Sequence, residues 1–363
     1  MRDTAVLFVY PREDKIGMTA VPFSTTICLM TMINHALKDK KVLVTGATGF
    51  IGGRLAERLA REEGAIVTGT GRNLDAVPQV VEAGVTLQHA DLLDEDAMRQ
   101  AMQGQEIVFH VAAWLGRHGT EQKAYALNVA ATALAVQLAA EAGVKRFVHV
   151  SSIAAYGHPP KVLHVNEDQP LDTEQEVIYG RTKALGEIRA FELGKELGIE
   201  VTAVRPGLVY GPRAQSWTIN MLKLVCKGTP VIFGDGTGHA YPVFIDNLID
   251  GMLLTAVHPQ AAGEAYNMCD PVVTFNEWFG FYGNMCGKKP RRIPFWAAHI
   301  LVTLNQLLGL DLPLNRPRLR MYALKAEFPP TKAQEQLGFQ SRVSIEEGMQ
   351  ITENWLRDEG YLS

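Results

Sequence analysis

The chain has 363 residues, of which 47% are hydrophobic and 20% charged, and its formal net charge is −4. This length suits one large α/β unit or two domains, and the composition is that of an ordinary globular enzyme. The charge argues against a nucleic-acid partner. The cysteines are scattered without a C-x-x-C pair, which predicts reduced thiols in the cytoplasm and no metal site; they are Cys28, Cys226, Cys269 and Cys286.

Residues 1–39 are predicted to be a disordered N-terminal extension outside the fold. The stretch 16–37 has no formally charged side chain apart from His35, but the segment before it mixes acidic and basic residues. It also contains Pro22 and several Thr and Ser residues, and no A-x-A cleavage site follows. Neither a signal peptide nor a membrane span is therefore expected here.

The first predicted strand, 42–44, runs directly into a glycine-rich turn. Gly46, Gly49 and Gly52 follow at three-residue spacing, and a helical pattern with leucines on one face comes next. Glycines allow a tight turn and a close approach to a pyrophosphate, and the helix N-terminus offers free N–H groups. Strand, turn and helix together predict a dinucleotide-binding site.

The second predicted strand, 65–71, bears on which dinucleotide is bound. NAD-binding chains place a carboxylate at its end to hold the ribose hydroxyls, but here Arg72 and Asn73 follow Gly71. The planar guanidinium of Arg72 suits a 2′-phosphate. The sequence therefore favours NADP(H), with NAD(H) as the alternative; an exposed loop arginine is the non-functional interpretation.

Strand and helix patterns alternate beyond this point. Strand patterns cover 85–92, 106–114 and 146–152, and a long apolar-faced helix covers 125–144. Repeated βαβ units predict an α/β fold with a doubly wound parallel sheet of the Rossmann type. In such a sheet, ligands bind at the carboxyl ends of the strands.

A candidate catalytic group lies at that edge. Ser152 ends the strand 146–152, and Tyr179 and Lys183 follow, four residues apart on one face of a predicted helix. An ammonium group lowers the pKa of a nearby phenol, which can then exchange a proton with a carbonyl or alcohol while a nicotinamide moves the hydride. Tyr179 is thus predicted to be the general acid/base, with Lys183 tuning it and Ser152 holding the substrate oxygen. A surface pair on a solvated helix is the alternative.

Several motifs together resemble an extended short-chain dehydrogenase/reductase, the NAD-dependent epimerase/dehydratase superfamily, across roughly 40–360. They are TGATGFIG, HVAA, LNVAAT, VSSIAAYG, YGRTK and VRPGLVYGPR. The resemblance implies catalytic Ser152, Tyr179 and Lys183, with Asn128 supporting an active-site water or the lysine. It also implies a homodimer formed by the helices at 125–143 and 179–197.

The resemblance also implies cofactor contacts. The glycine loop would contribute Gly46, Thr48, Gly49, Phe50, Ile51 and Gly52. Asp91 and Leu92 would lie near the adenine, and Ala112 and Ala113 near the phosphate and ribose. Pro206 and Gly207 would lie along the nicotinamide, with Tyr179 and Lys183 beside it.

Three departures from the family patterns indicate the branch. Nucleotide-sugar 4,6-dehydratases have an acidic pair after the catalytic hydroxyl residue, where this chain has Ile153 and Ala154. Nucleotide-sugar epimerases usually have Asn at the position of Gly207, and NAD-retaining epimerases have an acid on the second strand. The pattern is more similar to the 3β-hydroxysteroid dehydrogenase-like and dihydroflavonol reductase-like branches, which interconvert ketones and secondary alcohols on apolar substrates. The alternatives are a nucleotide-sugar epimerase and a non-catalytic dinucleotide sensor.

The chain after residue 206 is predicted to form most of a substrate-binding cap. The expected nucleotide domain covers 40–205 and 233–257, the latter with a helix capped near Asp246, and the cap covers 206–232 and 258–363. The apolar stretch 293–314 is interpreted as a buried cap helix. A substrate wall or a membrane-surface contact is the alternative, and an integral span is not expected.

Polar and aromatic side chains near the expected cleft are candidates for substrate contacts. Arg213 could bind a phosphate or carboxylate, or could instead cap a local turn. A lone histidine is more often structural than catalytic. The candidates are Trp114, His118, Tyr156, Arg213, Trp217 and His239.

Overall fold

The computed structural model describes residues 36–115, 120–308 and 316–362. Leu37 is fully buried in the core, and the backbone N–H of Asp39 donates to the Gly64 carbonyl at 2.9 Å. The folded chain thus begins before residue 40, because a buried leucine fixes this segment on the sheet. The rest of the predicted N-terminal extension, 1–35, lies outside the described residues.

A seven-stranded parallel sheet organises the fold. Its strand order is β11-β6-β5-β4-β1-β2-β3, and every neighbouring pair is parallel. The strands are β1 (Lys41–Thr45), β2 (Ile66–Gly71), β3 (Thr86–His89), β4 (Ile107–His110), β5 (Arg146–Val150), β6 (Glu200–Pro206), β7 (Leu208–Tyr210), β8 (Pro230–Phe233), β9 (His239–Ala240), β10 (Pro242–Phe244), β11 (Ala265–Met268), β12 (Val273–Thr274) and β13 (Arg291–Ile293). The predicted doubly wound sheet is confirmed, and the order reverses between β1 and β4, where such folds bind ligands.

Helices cover both faces of the sheet. They are α1 (Phe50–Arg61), α2 (Pro78–Glu82), α3 (Glu95–Met102), α4 (Glu121–Glu141), α5 (Ile178–Leu197), α6 (Asn220–Cys226), α7 (Ile245–Val257), α8 (Phe275–Met285), α9 (Phe295–Leu308), α10 (Arg316–Met321), α11 (Thr331–Leu337) and α12 (Ile345–Asp358). Within α4, the turn Ala126–Ala130 is a π-helix. Such turns are frequent at functional sites.

The side chains of β1 alternate between the two faces of the sheet, and this explains why its sequence is continuously apolar. Val42 and Val44 pack into a cluster with Leu55 of α1, whereas Leu43 packs into a second cluster with Met98 and Val136 on the other face. Side chains of a strand alternate between faces, so a strand that is covered on both sides must be apolar at every position.

The cap boundaries differ from those predicted. Strand β11 lies within 258–363, which was assigned to the cap, yet it pairs with β6 at the edge of the main sheet. Helix α7 begins after Phe244 without a side-chain cap, and Asp246 instead binds Arg54 of α1, with 2.8 Å between Arg54 Nε and Asp246 Oδ1. The chain therefore returns to the nucleotide domain twice after residue 206.

One helix among the described residues, α4, is long and apolar enough to cross a membrane by length and composition alone. It packs against α5, and 44% of its apolar window is buried inside the protein. Core helices of globular proteins pass the same test, so this observation by itself is weak evidence for a span.

Candidate active site

The glycine loop between β1 and α1 forms a cradle without side chains. Gly46 has φ +72°, and a Cβ there would lie 3.0 Å from Ala112. A Cβ at Gly52 would lie 2.3 Å from the Gly46 carbonyl oxygen. Gly49 is the exposed N-cap of α1, so the N–H groups of the first turn, starting at Phe50, face the loop mouth. This cradle fits a pyrophosphate, as an NAD(P) cofactor requires.

The ends of β2 and β3 lie side by side next to this cradle. Gly71 pairs with His89 in register, which brings Arg72 and Asp91 together, 3.8 Å apart between Arg72 Nη1 and Asp91 Oδ2. The Arg72 side chain is 70% exposed. A weak, solvated contact of this kind leaves the guanidinium available to an incoming anion.

Thr45 fixes the loop after β4, although the sequence did not single it out. Its Oγ1 accepts from the N–H of Val111 at 3.1 Å and of Ala112 at 3.3 Å, and it hydrogen-bonds His110 Nδ1 at 3.2 Å. These bonds hold Ala112 against Gly46. The resemblance placed the cofactor's phosphate and ribose near Ala112 and Ala113. The T-G pair of the glycine motif was the available signal.

Ser152, Tyr179 and Lys183 come together at the carboxyl end of β5, as the sequence predicted. The Ser152 hydroxyl hydrogen-bonds the Tyr179 phenol, and it also accepts from the Ala154 N–H at 3.2 Å. Lys183 is buried, and its Nζ donates to the Val150 carbonyl at 2.7 Å. Tyr179 is half-buried in the first turn of α5. The three groups can therefore exchange a proton with a ligand held at this edge.

The pKa shifts here differ from the prediction in direction. Burial raises the pKa of Tyr179, because it disfavours the phenolate, and the hydrogen bond from Ser152 opposes that shift. Burial also lowers the pKa of Lys183 to about 8, opposed by the carboxylate of Glu187 one turn later. The expected lowering of the phenol pKa by Lys183 is therefore wrong for this arrangement, because desolvation dominates both groups.

Asn128 lies in the π turn of α4 and ties three elements together. Its Oδ1 accepts from the Trp114 N–H at 2.7 Å, and its Nδ2 donates to the Trp114 carbonyl at 3.1 Å and to Thr182 Oγ1 at 3.0 Å. The backbone carbonyl oxygen of Asn128 lies so close to Gly186 that a Cβ at position 186 would be 2.1 Å from it. The side chain thus holds the loop after β4 against α5 and contacts the residue before Lys183, not the lysine itself.

Two histidines below Lys183 were missed by the sequence analysis. His110 and His149 pair in register on β4 and β5, with ring centroids 5.9 Å apart. Burial and the nearby Lys183 charge lower the pKa of His110 to about 3 and hold the pKa of His149 well below its usual range. Both rings are therefore neutral, and they form an uncharged floor under the ammonium. The repeated H-V ending of the two strands was the available signal.

Tyr156 lies in a buried network away from the cleft. Its hydroxyl donates to Asn267 Oδ1 at 2.8 Å, and Arg205 stacks over its ring with 4.8 Å from Cζ to the centroid. Arg205 in turn binds Glu187 of α5, with Nε 3.0 Å from Oε1. Tyr156 thus joins the helix that carries Lys183 to β6 and β11, which is a structural task.

The remaining substrate candidates do not form one group, and three of them have structural contacts elsewhere in the fold. Arg213 is bidentate to Glu57 of α1, with Nη1–Oε1 of 2.6 Å and Nη2–Oε2 of 2.8 Å, so its charge is already paired. His239 Nδ1 lies 3.1 Å from the Ala326 carbonyl oxygen, and the Trp217 carbonyl accepts from Tyr282. Of the five candidates in the described part of the chain, Trp114 alone is hydrogen-bonded to Asn128 on the catalytic side of the cleft. His118 lies outside the described residues.

Gly207 is required by a close backbone contact. A Cβ at this position would lie 2.1 Å from the Tyr241 carbonyl oxygen, which accepts from the Leu208 N–H at 2.7 Å. The Gly207 N–H donates to the Met268 carbonyl at 3.2 Å. Any side chain at 207, including asparagine, would displace the segment before β10.

Comparison with known proteins agrees with this geometry. The model of the NAD dependent epimerase/dehydratase family matches residues 42–269, the span from β1 to the end of β11. The chain belongs to this family. It is an extended short-chain dehydrogenase/reductase enzyme with an NAD(P)-binding Rossmann domain, as the motifs indicated.

Relatives with different named activities lie at similar distances. An uncharacterised protein of Sinorhizobium fredii is 30% identical over 86% of this chain and 94% of its own length. The 3beta-hydroxysteroid-dehydrogenase/decarboxylase isoform 1 of Arabidopsis thaliana is 26% identical over 86% of this chain and 79% of its own length. The UDP-glucose 4-epimerase of Vibrio cholerae is 30% identical over 64% of this chain and 71% of its own length.

A solved structure shows the same fold. The UDP-glucose 4-epimerase of Thermotoga maritima superposes with a TM-score of 0.72 at 24% identity, covering 88% of this chain and 99% of that chain. At this identity the likeness concerns the fold alone.

Proposed function

We propose that this enzyme is an NADP(H)-dependent oxidoreductase that interconverts a ketone and a secondary alcohol on an apolar substrate that is steroid-like, aryl or acyl. The contact at Gly207 carries the proposal. Epimerases of the family usually have Asn at this position, and here the 2.1 Å approach to the Tyr241 carbonyl leaves no space for one. The similarity to a named hydroxysteroid dehydrogenase supports the same class.

Apolar packing next to the candidate catalytic serine supports the substrate class. Ile153 follows Ser152 and packs in one cluster with Tyr241 and with Met321 and Phe328 of the cap. Apolar surroundings of this kind next to Ser152 favour a ligand without charge. The charge of Arg213, the candidate for an anionic substrate group, is already neutralised by Glu57.

In the proposed reaction, the residues of this chain hold the substrate and move one proton. Ser152 donates a hydrogen bond to the carbonyl oxygen, and Tyr179 gives its hydroxyl proton to that oxygen or takes it back in the oxidation direction. Lys183, one helical turn after Tyr179, is held beside this group by its bond to the Val150 carbonyl. Gly46, Gly49 and Gly52 would hold the pyrophosphate of the cofactor, whose nicotinamide would supply or accept the hydride.

The class is tested by NADPH oxidation at 340 nm against steroid, aryl and β-keto ketones, with UDP-glucose as the matched sugar-nucleotide probe. Turnover of a ketone with no epimerisation of UDP-glucose is expected. Epimerisation without ketone turnover would overturn the proposal and would instead support a nucleotide-sugar epimerase, the activity named for the Vibrio cholerae relative. Tight NADPH binding without either activity would favour a dinucleotide sensor.

The preference for NADP(H) is part of the proposal and rests on Arg72. Replacing it with Ala should weaken the binding of NADPH about tenfold or more and leave the binding of NADH nearly unchanged. The reason is that a charge-assisted contact to a phosphate contributes about 1.5–3 kcal/mol. Titration of cofactor fluorescence measures both. Arg61→Ala, an exposed arginine at the end of α1, is the control and should change neither. Equal losses for the two cofactors would contradict the role of Arg72.

We also propose that the protein is a cytoplasmic homodimer that pairs through α4 and α5, as the resemblance implies. Ile188 of α5 is 37% exposed on this surface. Light scattering should give a molecular mass twice that of one chain. The Ile188→Asp variant should have the mass of a single chain. A monomer in the wild type would exclude this assembly.

A further inference from the structure

Helix α9 turns its most apolar face to solvent. Trp296 is 68% exposed, Leu307 76% and Leu308 66%, and the same face contains exposed Ile300 and Leu304. These positions follow i, i+4 and i+3 spacing, so they form one continuous stripe. A contiguous apolar stripe on a free surface marks an interaction site, because its exposure to water is unfavourable without any gain in packing.

The inner face of α9 is already satisfied. Ala298 and Val302 are fully or almost fully buried against Leu319 of α10 and Phe233 of β8. The helix is thus docked on the cap by one face, and the solvent-facing stripe is not the face that the cap uses. The prediction of a buried cap helix holds for the inner face alone.

Basic residues flank α9 on both sides along the chain. Between 278 and 326 the sequence has eight Lys or Arg and one acidic residue, although the whole chain has a formal net charge of −4. Seven of these cations are described by the structure with exposed side chains: Lys288, Lys289, Arg291, Arg292, Arg316, Arg320 and Lys325. The helix that carries the stripe is therefore flanked along the chain by exposed positive charge.

We propose that this face docks the protein on an anionic lipid surface, with the α9 stripe in the membrane interface and the flanking cations on lipid phosphates. The 14 residues of α9 make a helix of about 21 Å, which is too short to span a bilayer but long enough to lie in its interface. An apolar stripe with cationic borders is the pattern that such interfacial helices use. The inference is independent of the proposed reaction.

A second copy of the chain is a poorer occupant of this face. Two copies that met through the stripe would use the same patch on each side, so their cations would face one another. Like charges across an interface oppose association. The charge pattern therefore favours an anionic surface over self-association.

The experiment is co-sedimentation of the full chain with vesicles. Binding to vesicles of phosphatidylcholine with about one third phosphatidylglycerol should exceed binding to phosphatidylcholine alone about tenfold, and rising salt should weaken it. The double variant Trp296→Ser with Leu307→Ser should lose binding about tenfold. NADPH binding reports that each variant is folded.

Matched variants keep the test independent of folding. Val81→Ser with Leu197→Ser removes exposed apolar side chains elsewhere and should leave vesicle binding unchanged. Lys289→Gln with Arg316→Gln should reduce binding to anionic vesicles alone, whereas Arg61→Gln with Lys195→Gln should not. Absence of binding to either vesicle would overturn the proposal. Equal binding by the stripe variant, or a lipid-free association that this variant abolishes, would also overturn it.

Discussion

At the residue scale, burial decides the electrostatics of the two groups proposed to handle the proton. It raises the pKa of the Tyr179 phenol and lowers that of the Lys183 ammonium to about 8. Ser152 and Glu187 each act against burial at one of these groups. Lys183 therefore changes its charge near pH 8, whereas the raised pKa keeps the Tyr179 phenol protonated at neutral pH, as a proton donor to a carbonyl requires.

Replacing Tyr179 with Phe should remove the proton donor while leaving the cofactor cradle intact. Ketone turnover should fall about 10²–10⁴-fold, the usual contribution of a general acid, and NADPH affinity should change little. Steady-state kinetics and a fluorescence titration measure the two effects. Tyr361→Phe, an exposed tyrosine, is the control. Substantial turnover by the Tyr179 variant would show that another group moves the proton.

The lowered pKa of Lys183 predicts an alkaline limit to activity. Because the ammonium loses its charge as the pH rises through about 8, kcat/KM for ketone reduction should decline above that pH. Lys183→Arg should move this limit upward, since a guanidinium stays charged, even if the rate itself falls. Lys195→Arg on the exposed side of α5 is the control. An unchanged pH profile in the Lys183 variant would assign the limit to a different group.

At the element scale, the crossing of α4 and α5 depends on one glycine. The backbone carbonyl of Asn128 on α4 packs directly against Gly186 on α5. A Cβ at position 186 would lie 2.1 Å from the Asn128 carbonyl oxygen, so only glycine permits this approach. This contact places Asn128 against Thr182 and holds the Trp114 loop. Helix packing thus positions the cleft side of the nucleotide domain.

Two glycine substitutions test this crossing. Gly186→Ala should cost about 1–3 kcal/mol of unfolding free energy through overpacking, and it should reduce activity by displacing Asn128. Gly280→Ala, in α8 with open space around it, should be neutral or stabilising by about 0.5–1 kcal/mol. Denaturant unfolding compares them. Equal effects would mean that the helices separate without cost.

At the scale of the whole molecule, Asp270 joins segments that are distant in sequence. Its carboxylate accepts from the Phe244 N–H at 2.7 Å, from Asn247 Nδ2 at 2.9 Å and from Ser341 Oγ at 2.6 Å. Burial raises its pKa to about 6 despite these bonds. The end of β11, the start of α7 and the C-terminal segment therefore meet at one buried carboxylate.

This raised pKa has a defined effect on stability. The folded protein holds a proton on Asp270 between about pH 4 and 6 that the unfolded chain has released, so its contribution to stability is lost as the pH rises through this window. Asp270→Asn removes this pH dependence. The difference in unfolding free energy between this variant and the wild type should therefore change by about 3 kcal/mol between pH 4 and 7. Urea unfolding at several pH values measures it. Asp358→Asn at the surface should follow wild type, and an identical curve for Asp270→Asn would contradict the assignment.

The sequence by itself determined the nucleotide half and the candidate catalytic group. Strand β1, the glycine loop and the Tyr179–Lys183 spacing are local patterns, and local backbone geometry fixes how such patterns fold. The carboxyl ends of parallel strands then had to bring Ser152 to Tyr179. The resemblance added the family, which the match over 42–269 confirms.

Only the tertiary structure decided what depends on contacts between distant segments. It placed β11 in the sheet, paired Arg213 with Glu57 and enclosed Tyr156 between Arg205 and Asn267. It also reversed the expected pKa shift of Tyr179 and exposed the stripe on α9. Desolvation and side-chain partners are sums over neighbours from remote parts of the chain, so spacing along the sequence does not contain them.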